Sequence, residues 1–373
     1  MRYYLNFHYY NCFIYILIRT IGFILNDIVR KKNEKFFSHQ SLNLFFRFLG
    51  ESFAIFFYYI EKKNVSIDSF VYKKRTFMMN KIEGINVKKK KIKSYNFFII
   101  ILYCSLSYLF YSLNYKIYFN NEMKELLNLY DLRTTLYIFF LFFNEHFFLK
   151  IQTYIHHYLG IILILFTLII LFIKNCDLII GNFHFNSLLC LFIIYSEIGF
   201  ICSIPLIIEK KLNFEYYVNI YFICFAEGFF ALILIFLYIM ISIFILNDNS
   251  IILLLKEIYN DNNNNFIYFI IIILYCLINL IITICRLKTS EKNRPSYNSI
   301  SNLLTSFFLN IDPFNNPYIL IDYFFSLFGS FIFCEVITLA FCNLDKNTFY
   351  RTSVRAINDN ILIDISSDID CDD

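Results

Sequence analysis

Two successive apolar stretches decide the fold of this chain: TYIHHYLGIILILFTLIILFIKN at 153–175 and LLCLFIIYSEIGFICSIPLIIEKK at 188–211. Each is about as long as the roughly 20 residues that an α-helix needs to cross the hydrocarbon core of a bilayer. The first begins at the histidine pair His156 and His157, and the second carries Glu197 in its interior. Because ionisable side chains at membrane depth are costly and usually functional, these three residues are the first candidates for a site.

The composition of the whole chain indicates a membrane protein. Hydrophobic residues make up 58% of its 373 residues, and the mean hydropathy is +0.57, so the chain is far more apolar than a soluble globular protein. The net charge is only +4, but eleven Lys or Arg residues and three acids lie between Glu61 and Ser94. This segment predicts a cytosolic loop in contact with anionic lipids. No nucleic-acid-binding fold accompanies it, so membrane lipids are the expected partners and nucleic acid is not.

The sequence lacks the common signatures of cofactor, metal and catalytic sites. Its eleven cysteines lie mostly in apolar runs without any CxxC pair, which favours small membrane-core residues over a disulfide framework or a zinc site. Glycine-rich phosphate loops, GxSxG and HExxH do not occur. His156 and His157 are adjacent and would point about 100° apart on a helix, so they cannot share one metal as an i, i+4 pair does. We therefore predict no metal and no cofactor.

Six segments have the length and hydrophobicity of membrane-spanning helices. They are Asn96–Tyr115, Thr134–Lys150, Tyr158–Ile173, Leu188–Ile208, Tyr217–Leu246 and Phe266–Cys285. One or two further amino-terminal segments, Tyr9–Leu25 and Leu42–Ile60, are apolar but interrupted by charges, and Tyr318–Cys342 is long enough for one carboxy-terminal span more. The prediction is an all-α protein, a polytopic transmembrane helical bundle with six core spans.

The same pattern divides the chain into three regions. Residues 1–94 hold the amino-terminal segments and the basic loop, 95–288 hold the six-span core, and 289–373 hold a polar linker, the extra segment and an acidic tail. The first segment lacks a short apolar region that ends at a small-residue cleavage site, which favours an uncleaved anchor over a removed signal peptide. The acidic tail is expected to be disordered.

Basic residues predict the orientation of the six spans, because Lys and Arg in short loops mark the cytosolic side. Those that fall at alternate span ends, and hence on one side, are Lys88–Lys93, Lys150, Lys210, Lys211, Arg286 and Lys288. The histidine pair lies at this same end. Glu197 lies about 15 Å deeper by helical rise, near the middle of the bilayer.

Polar residues inside the apolar segments are the candidate site residues. An ionised carboxylate near the midplane needs a partner, a polar cavity or a proton, so we expect Glu197 to point into the bundle, either as an active or ligand-contacting group or as a structural hydrogen-bonding group. Glu227 in the next span has the same requirement. Asn279 is the one strongly polar residue of the last core span, where a hydrogen bond between helices is the first explanation. Glu335 has no recognisable partner in the sequence.

Other polar residues lie close to the histidine pair in the predicted arrangement. Glu145 and His146 lie at the cytosolic end of the preceding span, so a short hairpin should bring a carboxylate and several imidazoles to one depth. Two explanations stay open. The histidines are either interfacial residues that hydrogen-bond to head groups and water, or one of them acts as a general acid or base near neutral pH.

Four stretches resemble the TLC-domain family in their order and spacing across about 95–288. They are YIHHYLGIILIL at Tyr154–Leu165, YSEIGFICSIPLIIEKK at Tyr195–Lys211, YVNIYFICF at Tyr217–Phe225 and LYCLINLIIT at Leu274–Thr283. The resemblance implies a multi-pass protein of the endoplasmic reticulum or another membrane that is linked to lipid synthesis, sensing or trafficking. It also implies lipid-contacting roles for His156, His157 and Glu197, with Asn279 as a weaker match.

The catalytic branch of that family, ceramide synthase, pairs the two histidines with a His-Asp pair and a further Asp. This chain has Tyr195, Ser196 and Glu197 in the corresponding span, which is closer to the branch without synthase activity. Two functions follow as expectations. The first is binding or handling of a lipid within the bundle. The second is N-acyl transfer from acyl-CoA to a sphingoid base, with His156 or His157 as catalytic base. A third function, proton-coupled transport through Glu197 and Glu227, is disfavoured because the sequence shows no inverted repeat.

Overall fold

The computed structural model describes residues 2–33, 40–64, 94–117, 130–149, 155–182, 185–216, 218–244, 252–253, 256, 265–292, 294–309 and 317–336. Regular secondary structure in these segments is α-helical, which confirms the predicted all-α class. The helices are α1 (Arg2–Lys32), α2 (Gln40–Ser52), α3 (Ala54–Asn64), α4 (Ser94–Ile117), α5 (Tyr130–Leu149), α6 (Ile155–Asn182), α7 (Phe185–Tyr216), α8 (Ile220–Phe244), α9 (Asn265–Lys292), α10 (Tyr297–Leu309) and α11 (Pro317–Phe333).

Each of the six apolar segments matches one of the helices α4 to α9, but α6, α7 and α9 extend 9, 8 and 7 residues beyond the predicted ends. Long runs of Leu, Ile and Phe favour these helices, and α7 continues through Pro205. Two of the described helical segments are long and apolar enough to cross a membrane, Ile220–Phe244 in α8 and Phe266–Glu291 in α9. Shorter apolar helical segments lie at Tyr95–Leu109, Thr134–Leu149, His157–Ile170 and Tyr323–Phe333. Together they indicate association with a membrane.

Helix α9 shows how polar and apolar side chains are distributed in the bundle. Its large exposed side chains are apolar and recur at helical spacing: Ile270, Ile273, Leu274, Leu277 and Ile281. Its buried face carries polar side chains at the same spacing: Asn279, Thr283, Arg286 and Ser290. A helix on the surface of a soluble protein has the opposite arrangement, with its apolar stripe facing the core. The polar interior is what the site is built from.

The amino-terminal helices belong to the bundle, with α1 packed along α9 and α2 packed against α8 and α9. The charges that interrupt these segments are accounted for by partners. The buried Arg19 donates to the side-chain oxygen of Asn298 at 2.6 Å. Arg47 pairs with Glu51 at 3.4 Å, and Thr283 donates to the same Glu51 oxygen at 2.8 Å.

The expectation of a polar linker between Thr289 and Pro317 is wrong for most of that stretch. Helix α9 continues to Lys292, and Tyr297–Leu309 forms α10 with much of its surface buried. Small polar side chains fit such a position because they hydrogen-bond within the helix, as Ser301 does to the carbonyl of Asn298. Apolar side chains of α10 join the core formed with α1, α5, α6 and the end of α11.

Helices α6 and α11 approach each other more closely than side chains would normally allow. A Cβ atom added to Gly160 would lie 2.7 Å from the carbonyl oxygen of Gly329 and 2.9 Å from the Cβ of Phe333. Small residues at such crossings let two backbones come into contact. This crossing sets the start of α6 beside the end of α11. The basic loop within 65–93 and the tail after residue 336 lie outside the described residues.

Candidate functional site

Two clusters of buried polar side chains lie inside the described bundle. We call the first the histidine cluster and define it by Glu145, His157, Arg294 and Glu335. We call the second the arginine cluster and define it by Tyr108, Glu209, Glu227 and Arg286. Consecutive residues of α7 connect them, because Glu209 belongs to the arginine cluster while Lys210 acts electrostatically on Glu145.

His157 is the centre of the histidine cluster and is fully buried at the start of α6. Its Nε2 lies 3.2 Å from Oε1 of Glu335 and 2.8 Å from Nη1 of Arg294. One ring nitrogen cannot serve both partners in the same way, since it donates to a carboxylate only when protonated and accepts from a guanidinium only when not. The two contacts are therefore alternatives, and the proton on Nε2 decides between them.

Glu335 is held in an unusual backbone conformation. Its φ is +58°, in the left-handed region that non-glycine residues rarely adopt. The N–H of Val336 donates to the carbonyl of Phe331 at 2.9 Å and the N–H of Glu335 to that of Ile332 at 3.0 Å, which together form a Schellman C-cap of α11. Glycine is the usual residue at this position. A glutamate there is disfavoured by about 1–2 kcal/mol, and its carboxylate reaches His157.

Glu145 is buried on α5, and its electrostatic surroundings are Arg294, Ser296 and Lys210. Arg294 contacts His157 and acts electrostatically on Glu145, whose two carboxylate oxygens have no hydrogen-bond partner among the described residues. His146 is only half-buried and its ring packs edge-on against Phe147. The side chain of His156 lies outside the described residues, although its backbone is in α6. His157 is thus the histidine that the described structure places in a site.

The arginine cluster joins α4, α7, α8 and α9. Nη2 of Arg286 lies 3.0 Å from Oε1 of Glu209 and 3.0 Å from Oε2 of Glu227. The Tyr108 hydroxyl donates to Glu209, and the guanidinium of Arg286 stacks 4.5 Å from the centre of the Tyr108 ring. Both carboxylates are almost completely buried. Arg286 therefore supplies a partner that the buried carboxylate of Glu227 requires.

The expected inward orientation of Glu197 is wrong, because its side chain is exposed on the outer face of α7. Its neighbours Tyr195 and Ile198 are buried against α5, and about 100° of rotation per residue turns Glu197 away from that interface. The residue that α7 contributes to the interior is Glu209, twelve positions further on.

Asn279 has the structural role that its position suggests. Its Nδ2 donates to the carbonyl of Tyr275 at 2.7 Å, and its Oδ1 accepts from Asn26 of α1 at 3.3 Å. The hydrogen bond between α9 and α1 confirms the expected interhelical bond. The contacts of Asn279, like the ion pair of Glu227 with Arg286, therefore join helices of the bundle.

Sequence reasoning misses several members of the two clusters. Glu209 and Arg286 stand at the ends of apolar segments, where charges mark a membrane boundary, and Arg294 lies in the supposed linker. Glu335 is visible as an acid in an apolar segment but has no partner within helical spacing. The available signal is the surplus of charges at one end of the spans, which indicates that partners exist without saying which residues pair.

Comparisons of the chain with known protein families, with characterised proteins and with solved structures gave no match. Within the described residues, no three His, Cys, Asp or Glu side chains are arranged to hold a metal ion.

Proposed function

We propose that this chain is a multi-pass membrane protein of the TLC-domain type that binds a lipid in its helical bundle, with the polar head of the lipid at the histidine cluster. The observation that carries the proposal is the fully buried His157 between Glu335 and Arg294, in a bundle whose outer surface is largely apolar. An amphiphile matches such a site, since its head needs polar partners and its chains need apolar surface.

The outer surface of the bundle supports the multi-pass part of the proposal. Large apolar side chains are exposed on several helices, among them Ile162 and Phe166 of α6, Phe236 and Ile241 of α8, and Phe324 of α11. Contiguous exposed apolar surface of this kind is typical of contact with lipid or with another protein. Six spans from α4 to α9 would place the basic residues Lys210, Arg286 and Lys288 on the cytosolic side, and the endoplasmic reticulum is the compartment that the TLC resemblance suggests.

The chemistry of the histidine cluster favours a head group that both donates and accepts hydrogen bonds. Arg294 supplies donors, Glu145 and Glu335 supply acceptors, and His157 does either according to its protonation. A head group that carries a hydroxyl or an amide beside a charge would find partners of both kinds. The exposed Glu197 has no part in this arrangement.

The test is lipid retention by the purified chain. We expect wild-type protein, isolated in a mild non-ionic detergent, to retain a lipid that mass spectrometry identifies, and His157→Gln to lose most of it. Glu197→Gln is the matched control, because it makes the same kind of change on the outer face and should retain the lipid. Absence of bound lipid from wild type, or equal retention by His157→Gln, would contradict the proposal.

The second candidate is N-acyl transfer from acyl-CoA to a sphingoid base. One observation favours it, the imidazole and carboxylate pair of His157 and Glu335, which is the arrangement of an oriented general base. In such a reaction His157 would take a proton from the amine as the nitrogen attacks the thioester carbonyl, and Glu335 would orient the ring. The C–S bond would then break, and the CoA thiolate would leave with the proton returned from His157. Membranes that contain the chain should then acylate sphinganine, and His157→Ala should abolish this activity. Wild-type membranes without activity would exclude the candidate.

A further inference from the structure

We infer that Glu209 and Glu227 form a buried proton-binding site in which the two carboxyl groups share one proton. The site is separate from the histidine cluster and does not depend on the proposed lipid. Its ligand is the proton itself, held between a side chain of α7 and one of α8.

The first argument is the geometry of the two carboxylate oxygens that do not contact Arg286. Each carboxylate contacts the same Nη2 of Arg286 through one oxygen. The other two, Oε2 of Glu209 and Oε1 of Glu227, are buried and have no donor among the described residues. Because the contacted oxygens both lie 3.0 Å from that one nitrogen, the two carboxyl groups are immediate neighbours. Ionised carboxyl groups have no hydrogen to donate, so a proton held between the pair supplies the donor that their buried oxygens lack.

The charge balance is the second argument. Two ionised carboxylates and one guanidinium leave a net charge of −1 in the interior, and an uncompensated buried charge is disfavoured by several kcal/mol. One proton on the pair brings the sum to zero. Like-charged carboxylates that share a site commonly solve the same problem in this way.

The charged and titratable neighbours do not offer another source of compensation. They are Glu51 and Arg47 on α2, Tyr108 and Cys104 on α4, Cys224 on α8 and Arg19 on α1. Glu51 is occupied by Arg47 and Thr283. Arg19 donates to the uncharged side chain of Asn298, and the groups that act on it electrostatically are Arg286, Tyr137, Tyr108 and Cys285 rather than either glutamate. Tyr108 already donates its hydroxyl hydrogen to Glu209 and stays neutral while it does so.

Infrared spectroscopy of the full chain in lipid nanodiscs tests the inference at neutral pH. The carbonyl stretch of a protonated carboxyl group is separate from the amide and carboxylate bands and shifts in heavy water. We expect Glu209→Gln and Glu227→Gln each to lose the absorbance of one carboxylic acid, because the remaining carboxylate is then balanced by Arg286. The double variant should lose no more than either single variant, since there is one shared proton.

The controls separate the pair from other buried acids. Glu51→Gln should keep the band, and Glu145→Gln reports on the histidine cluster separately. Single variants that leave the band unchanged would show that both carboxylates are ionised, and a double variant that loses twice the absorbance would show two independent protons. A band that appears only after sodium is removed would mean that a metal cation occupies the position. Any of these three results would overturn the inference.

Discussion

The histidine cluster and the arginine cluster are both buried and both contain carboxylates and an arginine, but they are built from different parts of helices. The histidine cluster takes His157 from the first turn of α6, Arg294 from the turn before α10 and Glu335 from the cap of α11. The arginine cluster takes its members from within α4, α7, α8 and α9. Helix termini leave backbone groups free and move more readily than helix interiors.

The difference explains why we assign different roles to the two clusters. In the arginine cluster two carboxylates meet one arginine nitrogen at the same distance, an arrangement that joins four helices and in which we infer a shared proton. In the histidine cluster Nε2 of His157 has two incompatible partners and Glu335 is strained. Strain and alternative contacts are found where a ligand or a reaction changes the arrangement.

The largest expected effect comes from removing both carboxylates of the arginine cluster. The double variant Glu209→Gln/Glu227→Gln leaves Arg286 buried without a counter-charge, which should destabilise the bundle by about 3–5 kcal/mol. Each single variant keeps one carboxylate on Arg286 and should lose about 1 kcal/mol or less. Thermal unfolding in detergent can be followed with a thiol-reactive dye, because buried free cysteines such as Cys104 and Cys224 become accessible on unfolding. Additive effects of the two single changes would contradict the shared charge balance.

The next largest effect comes from a substitution outside the histidine cluster that displaces His157. Gly160→Ala places a Cβ atom 2.7 Å from a backbone oxygen of α11, so α6 and α11 must separate and carry His157 away from Glu335. We expect a loss of about 1–3 kcal/mol of stability and of lipid retention. Gly199→Ala is the control, because its nearest neighbours would lie at 3.2 Å and include a movable Phe140 ring. Equal losses from both changes would show that the crossing of α6 and α11 does not matter.

A smaller effect separates strain from contact at Glu335. Glu335→Gly relieves the strain of the left-handed backbone, which stabilises the fold, and removes the carboxylate contact, which destabilises it. These two contributions of about 1 kcal/mol each should nearly cancel in the free energy of unfolding. Glu335→Ala keeps the strain and loses the contact, and should be about 1 kcal/mol less stable than the glycine variant. Both should lose lipid retention. A glycine variant no more stable than the alanine variant would mean that the backbone there is not strained.

The smallest effect concerns the outer surface. Glu197→Gln removes a charge that lies outside both clusters, and we expect stability and lipid retention to stay within the error of the wild-type values, since surface substitutions away from special contacts usually change stability by about 0.5 kcal/mol or less. Unfolding and lipid analysis of this variant beside His157→Gln check it. A large loss would show that the exposed carboxylate faces a partner that the chain alone does not contain.

Much of the helical pattern follows from the sequence alone. The apolar runs predict the positions of α4 to α9, since a long run of Leu, Ile and Phe is satisfied in a membrane only by a helix. They do not predict the carboxyl ends of α6, α7 and α9, which lie 9, 8 and 7 residues further on. Asn279 and Glu227 are recognisable as buried polar residues because each lies inside one of these apolar runs. The helix α10 is missed, because its Ser, Thr and Asn residues resemble a linker when their hydrogen bonds to the preceding turn are not known.

Only the tertiary structure decides which polar residues meet. His157 is separated from Arg294 by 137 positions, and Arg286 from Glu227 by 59, and no local rule connects residues so far apart. The direction of a side chain around a helix is equally undetermined from hydropathy, and so Glu197 faces outward while Glu209 faces inward on one helix. The sequence by itself determines that charges buried within the bundle must be partnered, because leaving them unpaired is too unfavourable. The packing of α6 on α11 and of α7 and α8 on α9 determines the partners.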